Sequence, residues 1–220
     1  MSIAQNIKHI ENQIGANVQL VAVTKTKPIE VLQEAYDGDF KRFGENKVQE
    51  MVTKHEALPK DIEWHLIGHL QTNKVKYIAQ FVHLIHSVDS LKLLQEINKQ
   101  AAKYNRKINC LLQIYIAQEE TKFGLSEVEA ETLLTSNELN QLTHIQIVGL
   151  MGMASNTEDE NQVRKEFRSL KTFFDKLNTN VLKQNSPLTI LSMGMSSDYL
   201  MAVEEGSTMV RVGSAIFGAR

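Results

Sequence analysis

The chain has 220 residues, 42% hydrophobic and 23% charged, a balance that suits a soluble globular protein with a sizeable core. A formal net charge of -2 excludes a general electrostatic pull toward nucleic acid or an anionic membrane surface. Cys110 is the one cysteine, so no internal disulfide can form, and no apolar run reaches the ~18 residues of a membrane span.

Ile3, Ile7, Ile10 and Ile14 recur at helical spacing and predict an amphipathic first helix. The opening residues Met1 to Asn6 lack the charged and apolar blocks of a signal peptide, so a cytoplasmic location is expected. Residues 19 to 24 form a short β-type run, and Pro28 is placed to start a helix over 29 to 36. A second strand over 42 to 45 precedes a helix over 47 to 57. A third over 62 to 67 precedes a helix over 72 to 80. The fourth strand, 82 to 86, leads into a long helix over 90 to 104, and the fifth, 108 to 116, is the most apolar. A helix over 126 to 136, a sixth strand over 144 to 150 and a helix over 160 to 178 follow. The last of these carries Val163, Phe167, Leu170, Phe174 and Leu177 at helical spacing. A seventh strand over 188 to 192, a short helix over 198 to 205 and an eighth strand over 209 to 212 complete the pattern.

Eight short apolar strands alternating with helices argue a parallel sheet buried on both faces. Eight such units in this length fit a single (β/α)8 TIM-like barrel, an α/β fold, better than an open sheet. The extra N-terminal helix would fill the missing outer position. No linker or compositional break divides the chain, so residues 1 to 220 are expected to form one domain.

In such a barrel the chemistry belongs to the C-terminal rim, where strands end. Ser192 to Asp198 and Arg211 to Ser214 end adjacent strands seven and eight. Their small residues Gly194, Ser196, Gly213 and Ser214 let backbone N–H groups approach a ligand. Either segment alone reads as an ordinary turn with serine caps, whereas the pair favours a phosphate cup. Lys25 ends the first strand on the face of Val21 and Val23, where desolvation can yield the neutral amine that attacks an aldehyde. Lys27 shares that face, and spacing does not choose between a reactive and a snorkelling lysine. Arg211, between Val210 and Val212, needs a buried partner: a barrel acid such as Glu45, or a ligand.

No metal site is expected. His83 and His86 point to opposite faces of a strand, and no ligand-spaced acid or cysteine is seen to accompany His65 and His69. Met151 and Met153 read as barrel packing.

These residues, in this order, resemble the pyridoxal phosphate homeostasis protein family, whose barrel is related to the N-terminal domain of alanine racemases. The matching stretches are Ala22–Pro28, Arg42–Asn46, Val48–Glu50, Glu63–Gln71, Gly149–Met151, Leu191–Ser196 and Gly206–Gly218. The resemblance implies pyridoxal 5′-phosphate as cofactor, held as a Schiff base on Lys25, with Lys27 its neighbour. It also implies that Ser196, Gly213 and Ser214 hold the phosphate, that Arg211 faces the pyridine nitrogen, and that Asn46 lies near the ring or its hydroxyl. An unprotonated ring nitrogen is a weaker electron sink, which discourages carbanion chemistry. The implied role is binding, buffering and delivery of the cofactor to recipient apo-enzymes, without catalytic turnover. No nucleic-acid or membrane partner and a monomeric state are expected.

Two other functions compete. An amino-acid racemase needs a second acid/base, which the related racemases take from a tyrosine of a partner's second domain; no such domain follows Arg220, and Tyr199 beside the phosphate loop is the local candidate. A Schiff-base aldolase on a phosphorylated substrate would use the same lysine and cup.

Overall fold

The computed structural model describes residues 2–117, 123–182 and 187–218. Its eight strands are β1 (Gln19–Val23), β2 (Arg42–Glu45), β3 (Glu63–Leu66), β4 (Leu84–Val88), β5 (Ile108–Gln113), β6 (Ile145–Met151), β7 (Ile190–Ser192) and β8 (Met209–Val212). Each pairs in parallel with the next, and β8 closes on β1 with Val21 opposite Arg211, so the barrel follows chain order. This is the (β/α)8 fold that the alternation of periods predicts.

Two apolar layers account for the pattern. Val21, Leu84, Leu111, Met151 and Met209 fill the barrel interior. The alternate residues, among them Leu20, Ala22, Phe43 and Trp64, face outward into the larger core beneath the helices. The helices are α1 (Ile3–Ile14), α2 (Ile29–Asp37), α3 (Val48–Ala57), α4 (Leu91–Lys103), α5 (Glu127–Leu134), α6 (Asn137–Asn140), α7 (Glu160–Lys176), α8 (Tyr199–Glu204) and α9 (Ser214–Phe217). Ser2 starts α1 through a capping box with Gln5, and Ile7, Ile10 and Ile14 bury its inner face. That face packs against β1, α2, α8 and α9, so α1 takes the vacant outer position.

The segment expected as a helix over 72 to 80 is a 3₁₀ run over Thr72–Tyr77. Its buried residues explain the tighter winding. Val75 and Ile78 are both fully buried and three apart, the spacing that a three-residue turn aligns.

Candidate functional site

A cavity of about 690 Å³ opens at the C-terminal rim. Its wall includes Lys25, Asn46, Ser196, Arg211, Gly213 and Ser214, so all six residues singled out from the sequence meet in one place. The size suits a small organic ligand.

Lys25 is half-buried, one step beyond Val23 on the inward face of β1. The turn that carries it is clamped from below. Lys54 of α3, only 4% exposed, donates to the Thr24 carbonyl oxygen at 2.8 Å, to Glu45 Oε1 at 2.7 Å and to Glu50 Oε1 at 2.7 Å. Thr24 Oγ1 donates to Glu45 Oε1 at 2.5 Å, and the Thr26 N–H donates to Glu50 Oε1 at 2.6 Å. Thr26 has φ 65°, a left-handed conformation that a β-branched residue rarely adopts and that this clamp sustains. Burial holds the Glu45 carboxyl above the usual carboxylate range, against the opposing pull of Lys54 and Thr24. Lys27 also lines the cavity, and its ammonium donates to the carbonyl oxygens of Phe217 and Gly218, both at 3.2 Å, at the C-terminal end of α9.

Arg211 is buried, and its NH1 donates to Ser192 O at 2.8 Å and Ser192 Oγ at 2.7 Å, its NH2 to Gly152 O at 3.1 Å. Glu45, one of the two kinds of partner the sequence offered, is bonded to Lys54 and Thr24 instead. Burial lowers the Arg211 guanidinium to about 10, with Asp198 opposing. From Ser192 a polar chain runs down the barrel axis: Ser192 Oγ lies 3.1 Å from His86 Nδ1, and His86 Nε2 lies 3.0 Å from His65 Nδ1. Burial pushes His65 down to about 3 and His86 well below the ordinary histidine range, so both rings are neutral.

The cup is built from the loops after β7 and β8. Gly194 has φ 97°, and a Cβ there would meet the Ala202 Cβ at 2.6 Å, so the loop can turn this tightly over α8 with glycine alone. The Ser196 hydroxyl accepts from the Gly213 N–H at 3.0 Å, joining the two loops. Asp198 Oδ1 accepts from the Met195 N–H at 2.5 Å and fixes the same turn; burial raises its carboxyl above the usual range. Asn46 owes its position to Gly68, whose Cβ would sit 2.4 Å from the Asn46 carbonyl oxygen.

Tyr199 does not enter the wall. Its hydroxyl donates to Gln13 Oε1 of α1 at 2.6 Å, outside the cavity. Met151 packs inside the barrel as expected, but Met153 is 40% exposed and lines the cavity mouth with Phe123 and Met195. His69 and Asp89, whose Nδ1 and Oδ2 are 3.7 Å apart, complete that outer edge. Lys54 and His86 had no signal in the sequence as site residues, whereas Glu50 and Ser192 each lay in a matching stretch.

The whole chain, residues 1–220, matches the family described as alanine racemase, N-terminal domain. It is 44% identical to the pyridoxal phosphate homeostasis protein of Aquifex aeolicus strain VF5, over 92% of this chain and 87% of that one. Among solved structures, PipY of Synechococcus elongatus PCC7942 without PLP superposes with a TM-score of 0.91 at 36% identity, covering 99% of this chain and 100% of PipY. PipY with PLP bound gives 0.88 at the same identity and coverage. On these grounds the chain belongs to the pyridoxal phosphate homeostasis protein family, within the wider group that shares the alanine racemase N-terminal domain.

Proposed function

We propose that this chain binds pyridoxal 5′-phosphate in the rim cavity and serves the homeostasis of that cofactor by holding and releasing it, without catalytic turnover. The observation that carries this reading is the convergence of Lys25, Arg211 and the Ser196–Gly213–Ser214 cup on one cavity. The PLP bound to PipY, and the names of the homeostasis-protein relatives, support it. The donors fit the group: a half-buried amine, a buried guanidinium with N–H donors to spare, and small residues that admit a phosphate.

When bound, the cofactor supplies an electrophilic aldehyde and an electron-accepting ring. Lys25 Nζ would attach the aldehyde as a Schiff base, Lys27 being held by carbonyls of α9. Ser196 would turn its hydroxyl from the Gly213 N–H toward the phosphate, joined by the backbone of Gly213 and by Ser214. Arg211 would donate to the ring nitrogen and keep it unprotonated, and Asn46 would lie against the ring edge. A carrier is favoured over a racemase because Tyr199 is engaged with Gln13 and, among the described residues, no tyrosine lines the cavity. Delivery to apo-enzymes in the cytoplasm belongs to the same reading. No described helix is long and apolar enough to cross a membrane.

The test is the absorbance spectrum of the purified protein beside Lys25→Ala, followed by borohydride reduction and peptide mapping. A visible band that Lys25→Ala abolishes, with the reduced adduct on the Lys25 peptide and no racemisation of amino acids, is the expected result. A protein that stays colourless with added pyridoxal phosphate overturns the reading and puts the aldolase first. Steady racemisation overturns the carrier role alone.

A further inference from the structure

The opposite, N-terminal mouth of the barrel carries a second polar cluster. Glu63 and His65 are two apart on β3 and share its inward face. His83 enters β4 beside them, its N–H bonded to the Trp64 carbonyl oxygen at 2.8 Å. One ligand atom from each of the three lies within 4.8 Å of the others. His65 is only 1% exposed, and its Nδ1 is taken by His86. Its outer nitrogen, Nε2, is buried with no hydrogen-bond partner among the described residues. An orphaned imidazole nitrogen inside a barrel is costly unless something meets it.

We propose that Glu63, His65 and His83 form a divalent-cation site of the zinc class at this mouth. Two imidazoles and a carboxylate are the three-ligand set that holds zinc while leaving a fourth position for water. A ligating histidine characteristically gives its second nitrogen to another partner, and His65 already does so through His86. Ligand atoms around a tetrahedral zinc lie ~3.4 Å apart at the usual bond lengths. Rotation of half-buried Glu63 and exposed His83 supplies the needed closure. A positive charge facing this cluster is Arg42, which pairs in register with Glu63 across β2 and β3 and is drawn toward Glu11 at 3.8 Å. His65 had seemed to lack a ligand-spaced acid; Glu63 is that acid once the neighbouring strand brings His83.

The site would also orient the barrel's interior. With a cation on His65 Nε2, its Nδ1–H donates to His86 Nε2, and the His86 Nδ1–H donates to Ser192 Oγ, which also accepts from Arg211. The tautomers are then set in one direction from this mouth to the rim.

The experiment is calorimetric titration of the full chain with Zn²⁺ after dialysis against a chelator, with and without pyridoxal phosphate. Zinc absorption spectroscopy then counts imidazole ligands. One zinc per chain with two imidazoles is expected, weakened at least tenfold by His83→Ala and by Glu63→Gln. His9→Ala, exposed on α1, should leave it unchanged. His83 is exposed and Glu63 half-buried, and thermal melting of the metal-free forms checks that both variants fold. Absence of zinc binding, or binding that survives both ligand substitutions, overturns the site. Either result is independent of whether the rim cavity takes its cofactor.

Discussion

Lys54 Nζ donates to the carbonyl oxygen of Thr24 at 2.8 Å, so α3 reaches under β1 and grips the backbone immediately before Lys25. Glu45 shares that ammonium at 2.7 Å with its side chain fully buried. Lys54→Met strands the acid and should cost ~3–5 kcal/mol in urea unfolding, because a buried charge loses its partner. The pair Glu45→Gln with Lys54→Met should recover at least half of that, since it removes both charges. A double variant as unstable as the single one would show that the grip on Thr24, not the ion pair, is what matters.

Ser196→Ala should weaken pyridoxal phosphate binding ~5- to 10-fold, the worth of one hydrogen bond, and leave the affinity for unphosphorylated pyridoxal unchanged. The two ligands compared by absorbance titration separate a phosphate contact from general damage to the loop. Equal losses for both would remove Ser196 from the phosphate.

Arg211 satisfies Ser192 and Gly152 while lining the cavity. Arg211→Met should reduce cofactor affinity ~10- to 100-fold, as expected for charge-assisted hydrogen bonds worth about 1.5–3 kcal/mol. Arg211→Lys should recover little of it, because a lysine lacks the planar fork that reaches both acceptors. Full recovery by lysine would mean that charge alone is recognised.

His55 of α3 lies flat against Phe81 with ring centroids 3.8 Å apart and edge-on to Trp64. Burial lowers its pKa below the ordinary histidine value. A depressed folded-state pKa means that the unfolded chain binds the proton first. Its contribution to stability is therefore full above ~6.5 and fades as pH falls through the folded value. Denaturation midpoints at pH 7.5 and 5.5 should converge in His55→Phe, which keeps the stack and loses the proton site. A pH dependence unchanged by that substitution would assign it to other groups.

The barrel is legible in the sequence because most strands are short apolar runs ended by glycine or a polar cluster, so the two periods separate. Alternation from Val21 and Val23 puts Lys25 and Lys27 on one inward face and the resemblance alone singles out Lys25, while Ser196 and Gly213 stand out as small residues at two adjacent strand ends. Lys54 is not, because four residues after Glu50 it reads as a solvated helical pair. Its burial exists only once β1 and β2 bring Thr24 and Glu45 over α3. The His65–His86–Ser192 chain joins β3, β4 and β7, and no spacing along one strand foretells contacts across the hollow of a barrel. Arg211 was visibly in need of a partner, but which one depended on the order in which the strands close.

Helix α1 contributes nothing to the cavity wall, yet the Asn6 Nδ2 donates to the carbonyl oxygen of Ile216 at 2.8 Å. Lys27 holds the next two carbonyls, so α9, and with it Ser214, is moored at its far end from both sides. Substitution of Asn6, which is outside the apolar face of the first helix, will therefore surface in a ligand-affinity assay before it surfaces in a melting curve. A survey that scores only cavity residues would miss one of the places where the firmness of ligand binding at this rim can be tuned.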